Sequence, residues 1–250
     1  MSGHSKWHRI RHQKAQEDKK RGMLFSKLAR KISVAARKGK DPEKNIELRN
    51  AIEEARNNNM PKDNIERAIL RGSGELEGVE YSEVSYEGYG PGGVALLIEC
   101  LTDNKNRTAS GIRHIMETNG GKLGAEGCVS YLFERKGIIY VPKKNVQEEE
   151  LYDVAIEAGA SDIKEEDEVF EIHTTDNDLH KVYKALRDKN IPVEHFQITF
   201  LPKVTKSVED EEARRLLRLI AKLEDLEDVQ AVHSNFEISD KILAEIGSEN

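Results

Sequence analysis

Cysteine is scarce in this 250-residue chain. Cys100 and Cys128 are too few for a disulfide framework, and neither has a CxxC neighbour that would suit zinc. Cys100 closes the largely apolar run from Val94 and reads as a small buried hydrophobe, so a reducing compartment is expected. Aromatic residues make up only 6% of the chain, which favours several small cores over one large one. No uninterrupted apolar run approaches the roughly 18 residues of a membrane span. The N-terminus also lacks the apolar stretch of a signal peptide, because Lys27, Arg30 and Lys31 break the segment from Leu24 to Ala36. A cytoplasmic protein is expected. No Walker lysine motif, GxSxG, HExxH or cysteine–histidine pair occurs. Gly88-Tyr89-Gly90-Pro91-Gly92-Gly93 resembles a phosphate loop, but it precedes a strand instead of joining a strand to a helix, and it does not match GxGxxG. It is read as a turn between two strands. The carboxylate clusters at 148–150 and 209–212 open helices, where they complement the macrodipole. These readings exclude an obvious active site: no catalytic residue, metal, cofactor or small-molecule substrate is expected.

What the chain does have is positive charge concentrated at one end. Residues 1–40 hold thirteen Lys/Arg against two acids, a net charge of +11. Residues 41–72 are close to neutral, with six bases and seven acids, and residues 73–250 carry twenty bases against thirty-seven acids, a net charge of −17. The overall −7 describes neither part: this is a basic arm on an acidic body.

Hydropathy patterning divides the chain further. Residues 1–15 show no apolar period and read as an extended or irregular arm. From Glu17 the pattern turns helical, with Leu24, Leu28 and Ile32 on one stripe beside Phe25, Ala29 and Ala36, and Gly39 as a stop. Asp41-Pro42 suits the N-cap and first position of a second helix with Ile46, Ala51, Ile52 and Ala55 inward. A third helix follows Met60-Pro61 with Ile65, Ala68 and Ile69 inward, and the three helices make a small antiparallel bundle. After a Gly/Ser linker the periods alternate. From 137 onward the expected order is strand, helix 147–158, strands 161–164 and 168–174, helix 177–189 and strand 193–201, the ferredoxin-like βαββαβ plan. A second such domain is expected from strand 93–102, helix 105–118, strand 129–134, helix 209–224 and strand 229–236, sharing a strand near 195–202. The fold class is therefore α+β and multi-domain. It comprises an arm (1–22), a three-helix basic domain (23–78), a discontinuous ferredoxin-like domain (79–135 plus 202–250) and an inserted ferredoxin-like domain (136–201).

The candidate nucleic-acid-binding residues are His4, Lys6, Trp7, Arg9, Arg11, Lys14, Lys19, Lys20, Arg21, Lys27, Arg30, Lys31, Arg37 and Lys38. Clustered cations attract phosphate backbones and release counterions on binding. A membrane surface or an acidic protein is the competing partner for such a segment, but the apolar stripe of the helix is needed by the bundle, leaving its cations to face outward. Trp7 suits either stacking on a base or docking of the arm onto the body. His4, His8 and His12 recur every four residues, yet the surrounding cations oppose a metal and favour hydrogen bonding to phosphate. In the acidic body the main cations are Lys105, Arg107 and Arg113, beside the polar stretch Thr102–Thr108 in which Asp or Asn caps a helix. They are candidates for a second contact surface.

Taken together, Met1-Ser2-Gly3-His4-Ser5-Lys6-Trp7, Lys27-Leu28 and Asn59-Met60-Pro61-Lys62-Asp63-Asn64-Ile65 resemble the YebC/PmpR family, as do Tyr86–Gly93, Thr102–Thr108 and Tyr131–Gly137. The resemblance runs in order along essentially the whole chain. It implies a three-domain α plus α+β architecture and a cytoplasmic protein without catalytic activity or cofactor. It also implies one of two roles: DNA-binding transcriptional regulation, or ribosome-bound translational activation that helps synthesis through difficult stretches such as proline runs. A third class, an effector sensor using a cleft between the α+β domains, rests on fold analogy alone. The arm suits a deep rRNA cleft, while the acidic body would repel a duplex lying along it.

Overall fold

The computed structural model describes residues 18–237 other than Asn145 and Asp167. Three helices come first: α1 (Asp18–Ala36), α2 (Ile46–Asn57) and α3 (Lys62–Gly72). Leu28, Ile32, Ala35 and Ala36 of α1 pack with Leu48, Ala51, Ile52 and Ala55 of α2 and with Met60, Ile65 and Ala68, forming one apolar core. Small residues let the helices approach closely: a Cβ on Gly72 would stand 2.2 Å from the Ser33 carbonyl oxygen. The second helix starts later than expected. Asp41 accepts a hydrogen bond from the Glu43 amide in a local turn, and it is Asn45 that caps α2, accepting from the Leu48 amide at 3.1 Å. The Asn45 amide group also donates to the carbonyls of Ala35 and Gly39, so one side chain fixes both ends of the turn. This later start brings Leu48 inward and leaves Ile46 on the surface, correcting the expected inner face.

Beyond the linker, the chain falls into two compact units by packing: one runs up to Phe133 and resumes at Pro202, and the other is Glu134–Leu201. In the first, β1 (Ser82–Tyr89) and β2 (Ala95–Thr102) form an antiparallel hairpin. Then come α4 (Lys105–Thr118) and the two-residue β3 (Lys122–Leu123). The second unit contains β4 (Phe133–Pro142, which begins at the boundary), α5 (Glu148–Ala158), β5 (Asp162–Glu165), β6 (Val169–Thr174), α6 (Leu179–Asp188) and β7 (His195–Pro202). The chain closes with β8 (Lys206–Ser207), α7 (Asp210–Glu224), β9 (Val229–Ser234) and β10 (Phe236–Glu237).

The strands of the second unit lie in the order β5-β6-β4-β7, with element order βαββαβ. Its core gathers Ile139, Val141, Phe170 and Ile172 of the sheet against Leu151, Leu179, Val182 and Leu186 of the helices. The first unit departs from the expected second βαββαβ. Its sheet has the order β3-β1-β2-β9, so the hairpin strand β1 takes a place in it. Residues 130–132 form a 3₁₀ turn, not a strand, and the chain passes directly into β4 of the other sheet. The strand near 195–202 also belongs to that other sheet. A tight local hairpin supplies the neighbour that a shared distant strand was expected to supply. The Gly-rich segment is the hairpin's turn, with Gly92 and Gly93 at φ 69° and 68°. Helices α4 and α7 cover one face of this sheet through Ile112, Met116, Leu216, Leu219, Ile220 and Leu223.

Candidate nucleic-acid interface

The site residues expected in the arm, His4, Lys6, Trp7, Arg9, Arg11 and Lys14, lie outside the described residues. Lys19 and Lys20 fall within α1, whose side chains are described from Arg21 onward. The remaining cations of α1 and of the turn after it can be placed one by one, and most have a partner within the protein. Lys31 pairs with Glu54, joining α1 to α2, and Lys38, in the turn after α1, pairs with both carboxylate oxygens of Glu47. Arg37 donates to the Tyr81 carbonyl at 2.7 Å. Arg21 is exposed.

Lys27 and Arg30 correct the expectation that every off-stripe cation faces outward. Lys27 Nζ donates to the Glu224 carbonyl at 2.6 Å, where the last turn of α7 presents the negative end of its helix dipole. Arg30 is 8% exposed. Its guanidinium donates to Asp228 Oδ1 at 2.7 Å, Glu227 Oε1 at 2.5 Å and the carbonyls of Glu227 and Leu101, and it lies 4.9 Å from the Tyr81 ring centre. The basic helix thus docks on an acidic corner of the α+β body.

Asp228 is the centre of that corner. Its Oδ2 accepts from Thr108 Oγ1 at 2.7 Å, Arg107 Nη2 at 2.9 Å and Thr102 Oγ1 at 3.3 Å. Burial pushes the Asp228 carboxyl up, but the bonds from Thr108, Arg107 and Arg30 outweigh it and hold the group below the ordinary carboxylate range. Asn104 caps α4, as expected of that stretch, accepting from the Arg107 amide at 3.0 Å. Of the three cations expected to form a second contact, Arg107 is shared between Asp103 and Asp228 while remaining half-exposed, and Lys105 and Arg113 are exposed. A second carboxylate is used structurally. Burial raises Glu87, but the amides of Val129, Gly127 and Ser130 together bring it lower, and it fixes the loop before β4. Burial drives the Cys100 thiol up to about 12, which fits its reading as a core residue.

A further basic group is not evident from the charge balance of the sequence. Arg214, Arg215, Arg218 and Lys222 stand on α7 away from its apolar side, with Arg215, Arg218 and Lys222 exposed. Their spacing on an evident helix carried the signal, which the neighbouring clusters of acids obscured. Among the described residues no group of three or more His, Cys, Asp or Glu side chains is placed to hold a metal. No helix among them is long and apolar enough to cross a membrane.

A three-helix domain whose basic first helix is pinned to an α+β body carrying an inserted βαββαβ unit defines the class of protein: a helical domain joined to an α+β region. Residues 5–75 match the TACO1/YebC protein N-terminal domain, and residues 81–236 match the TACO1/YebC second and third domain. The chain belongs to the TACO1/YebC family. It is 52% identical to a "Probable transcriptional regulatory protein" of Natranaerobius thermophilus over 97% of this chain and 99% of that one. It is 54% identical to one of the same name from Persephonella marina, over 98% and 100%. A crystal structure of a conserved hypothetical protein from Aquifex aeolicus superposes with a TM-score of 0.81 at 52% identity, covering 90% of this chain and 94% of that one.

Proposed function

We propose that the chain is a non-enzymatic, nucleic-acid-binding regulator of gene expression whose N-terminal arm makes the principal contact. The carrying observation is where the positive charge goes. Along α1 and just beyond it, Lys27, Arg30, Lys31, Arg37, Lys38 and Lys40 are engaged by groups of the protein itself. Residues 1–15 hold Lys6, Arg9, Arg11 and Lys14 with no acid among them. The arm is therefore the part whose sequence offers uncompensated charge to a polyanion, with His4 and Trp7 as hydrogen-bonding and stacking groups. The exposed pairs of Lys31 and Lys38 are each worth roughly 0–1 kcal/mol and exchange readily for phosphate. Arg30 is a structural anchor of α1. The proposal keeps the four-part organisation of arm, three-helix domain (to about 78), discontinuous α+β domain (79–135 plus 202–250) and inserted domain (136–201), except that α1 begins at Asp18, so the arm expected over 1–22 is shortened to the residues before it.

The name carried by the relatives favours DNA as the target and transcription as the process regulated. A second reading, a ribosome-associated translation factor that contacts rRNA or tRNA and relieves stalling at difficult sequences such as proline runs, is favoured by the acidic body. Its net charge of −17 disfavours a long duplex lying flat on it, whereas an arm can enter an RNA cleft while the body stays clear. Crosslinking in cells with sequencing of the bound nucleic acid separates them, comparing the full chain with one lacking residues 1–17. Discrete DNA peaks at promoters support the transcriptional reading, and crosslinks concentrated in rRNA support the ribosomal one. Equal crosslinking by the truncated chain would overturn the role of the arm.

A further inference from the structure

Helix α7 carries a cationic surface that the Asp228 cluster does not use. Ala213, Leu216, Leu217, Leu219, Ile220 and Leu223 turn its apolar side to the core. On the other side stand Arg214, Arg215, Arg218 and Lys222, with no carboxylate between Ala213 and Leu223. Four of the twenty bases that follow residue 72 fall within these nine positions, in a region with thirty-seven acids. Dipole compensation accounts for Lys222 in the last turn, but Arg214, Arg215 and Arg218 lie outside that turn and it does not account for them. The partners of Arg215 and Lys222 are weak ones. Arg215 meets Glu211 at 3.3 Å with both side chains mostly exposed, and Lys222 donates to the neutral Asn119 side chain at 2.7 Å.

We propose that this face of α7 is a second contact for the sugar-phosphate backbone of a duplex that the N-terminal arm also engages. The inference rests on the nucleic-acid reading above. Geometry permits one duplex to reach both places. Lys27 Nζ sits on the Glu224 carbonyl, so α1 and α7 touch there. Asp18 lies nine residues back along α1 and Arg218 six residues back along α7. At about 1.5 Å per residue these are ~13 Å and ~9 Å. Adding the width of the helix contact keeps the root of the arm and the α7 stripe within about 35 Å at any crossing angle, roughly one duplex turn. A polyanion of that length and stiffness is a nucleic-acid duplex, and it would meet the body along the α7 stripe, where four bases stand without a carboxylate between them.

The test uses the full chain with duplex DNA and duplex RNA of one sequence, each about twenty base pairs or roughly two turns long, titrated over a range of salt. The variant Arg215→Gln/Arg218→Gln/Lys222→Gln is compared with Lys164→Gln/Lys181→Gln/Lys184→Gln, which removes three exposed cations from the other unit. The expected result is a salt slope shallower by about 2 to 3 and at least about tenfold weaker binding at low salt for the α7 variant, with the comparison variant unchanged. Arg218→Gln alone lowers the slope by about 1 and covers the case in which the triple variant folds poorly. Loss for both duplexes assigns the contact to the backbone common to DNA and RNA, and loss for one assigns it to that form. A wild-type chain that binds while the α7 variant keeps the full slope overturns this inference and leaves the arm standing. A wild-type chain that binds neither duplex overturns the reading on which both rest. Displacement of the duplex by polyglutamate at equal charge concentration, lost in the α7 variant, overturns it in favour of an acidic protein.

Discussion

At the scale of single residues, the Asp228 carboxylate joins three elements: Arg30 from α1, Thr102 from β2, and Arg107 and Thr108 from α4. Arg30 and Asp228 are 198 positions apart, so no local pattern announces the pair. Arg30 reads from sequence as one more cation of a basic helix, and Asp228 as one more acid in an acidic stretch. Replacing Asp228 by Asn removes the charge shared by Arg30 and Arg107 but leaves Arg30 paired with Glu227. A loss of about 2 kcal/mol in urea-unfolding stability near neutral pH is expected, since hydrogen bonds to a charged group are weakened and not all of them are replaced. The sign of the pH dependence follows from the lowered carboxyl. With the folded value below the ordinary 3.8, the stabilisation is complete above that value and disappears as pH falls through the folded one. The gap between wild type and Asp228→Asn should therefore be constant near neutrality and close in acid. A gap that widens on acidification would show that the ionised carboxylate is not the stabilising form.

At the scale of elements, legibility tracked how local the determining interaction was. Helix α4 was expected over 105–118 and occupies Lys105–Thr118, because its cap at Asn104 and its inward residues Ile112 and Met116 all lie within the element. Asn104→Ala should remove that cap and lower the melting temperature by the equivalent of about 1 kcal/mol. Strand β4 was less legible. Residues 129–134 and 137–142 read as two strands, with Gly137 near the break. The structure makes Phe133–Pro142 one strand and keeps Gly137 inside it, because a Cβ there would stand 2.3 Å from Thr174 Oγ1. Gly88 belongs to the same class: within β1 its absent Cβ lets the Lys122 carbonyl oxygen come within 2.4 Å of where that atom would lie, in the β1–β3 pairing. Gly88→Ala should cost about 1–3 kcal/mol by forcing β3 away, read as a drop in the thermal midpoint. A glycine needed for a neighbour's approach looks in sequence like a glycine needed for a turn. Only the pairing distinguishes them.

At the scale of the whole molecule, charge asymmetry was legible from composition, while its internal neutralisation was not. Counting charges located the basic arm but could not foresee that Lys27 and Arg30 would anchor α1 to the acidic corner, or that α7 would raise a basic stripe within the acidic body. The strand order β3-β1-β2-β9 was equally hidden, since it depends on β9 joining β2 across more than a hundred intervening residues. The insertion itself leads to a direct prediction. The cores of the two units share no residue: Val94, Leu96, Ile112 and Leu216 belong to one, and Ile139, Leu151, Phe170 and Leu186 to the other. The chain leaves the first unit after Phe133 and returns at Pro202, where the Lys203 amide donates to the Leu132 carbonyl at 2.8 Å, so the two cut ends are already adjacent. Joining them through a short Gly/Ser linker in place of residues 134–201 closes only a small loop, whose entropic cost grows slowly with length. The shortened chain should fold cooperatively, keep the Arg30–Asp228 pair, and lose one step from an unfolding curve that in the full chain has two. Circular dichroism and urea titration of both chains decide this. A shortened chain without a cooperative transition would show that the first unit needs the inserted one to fold.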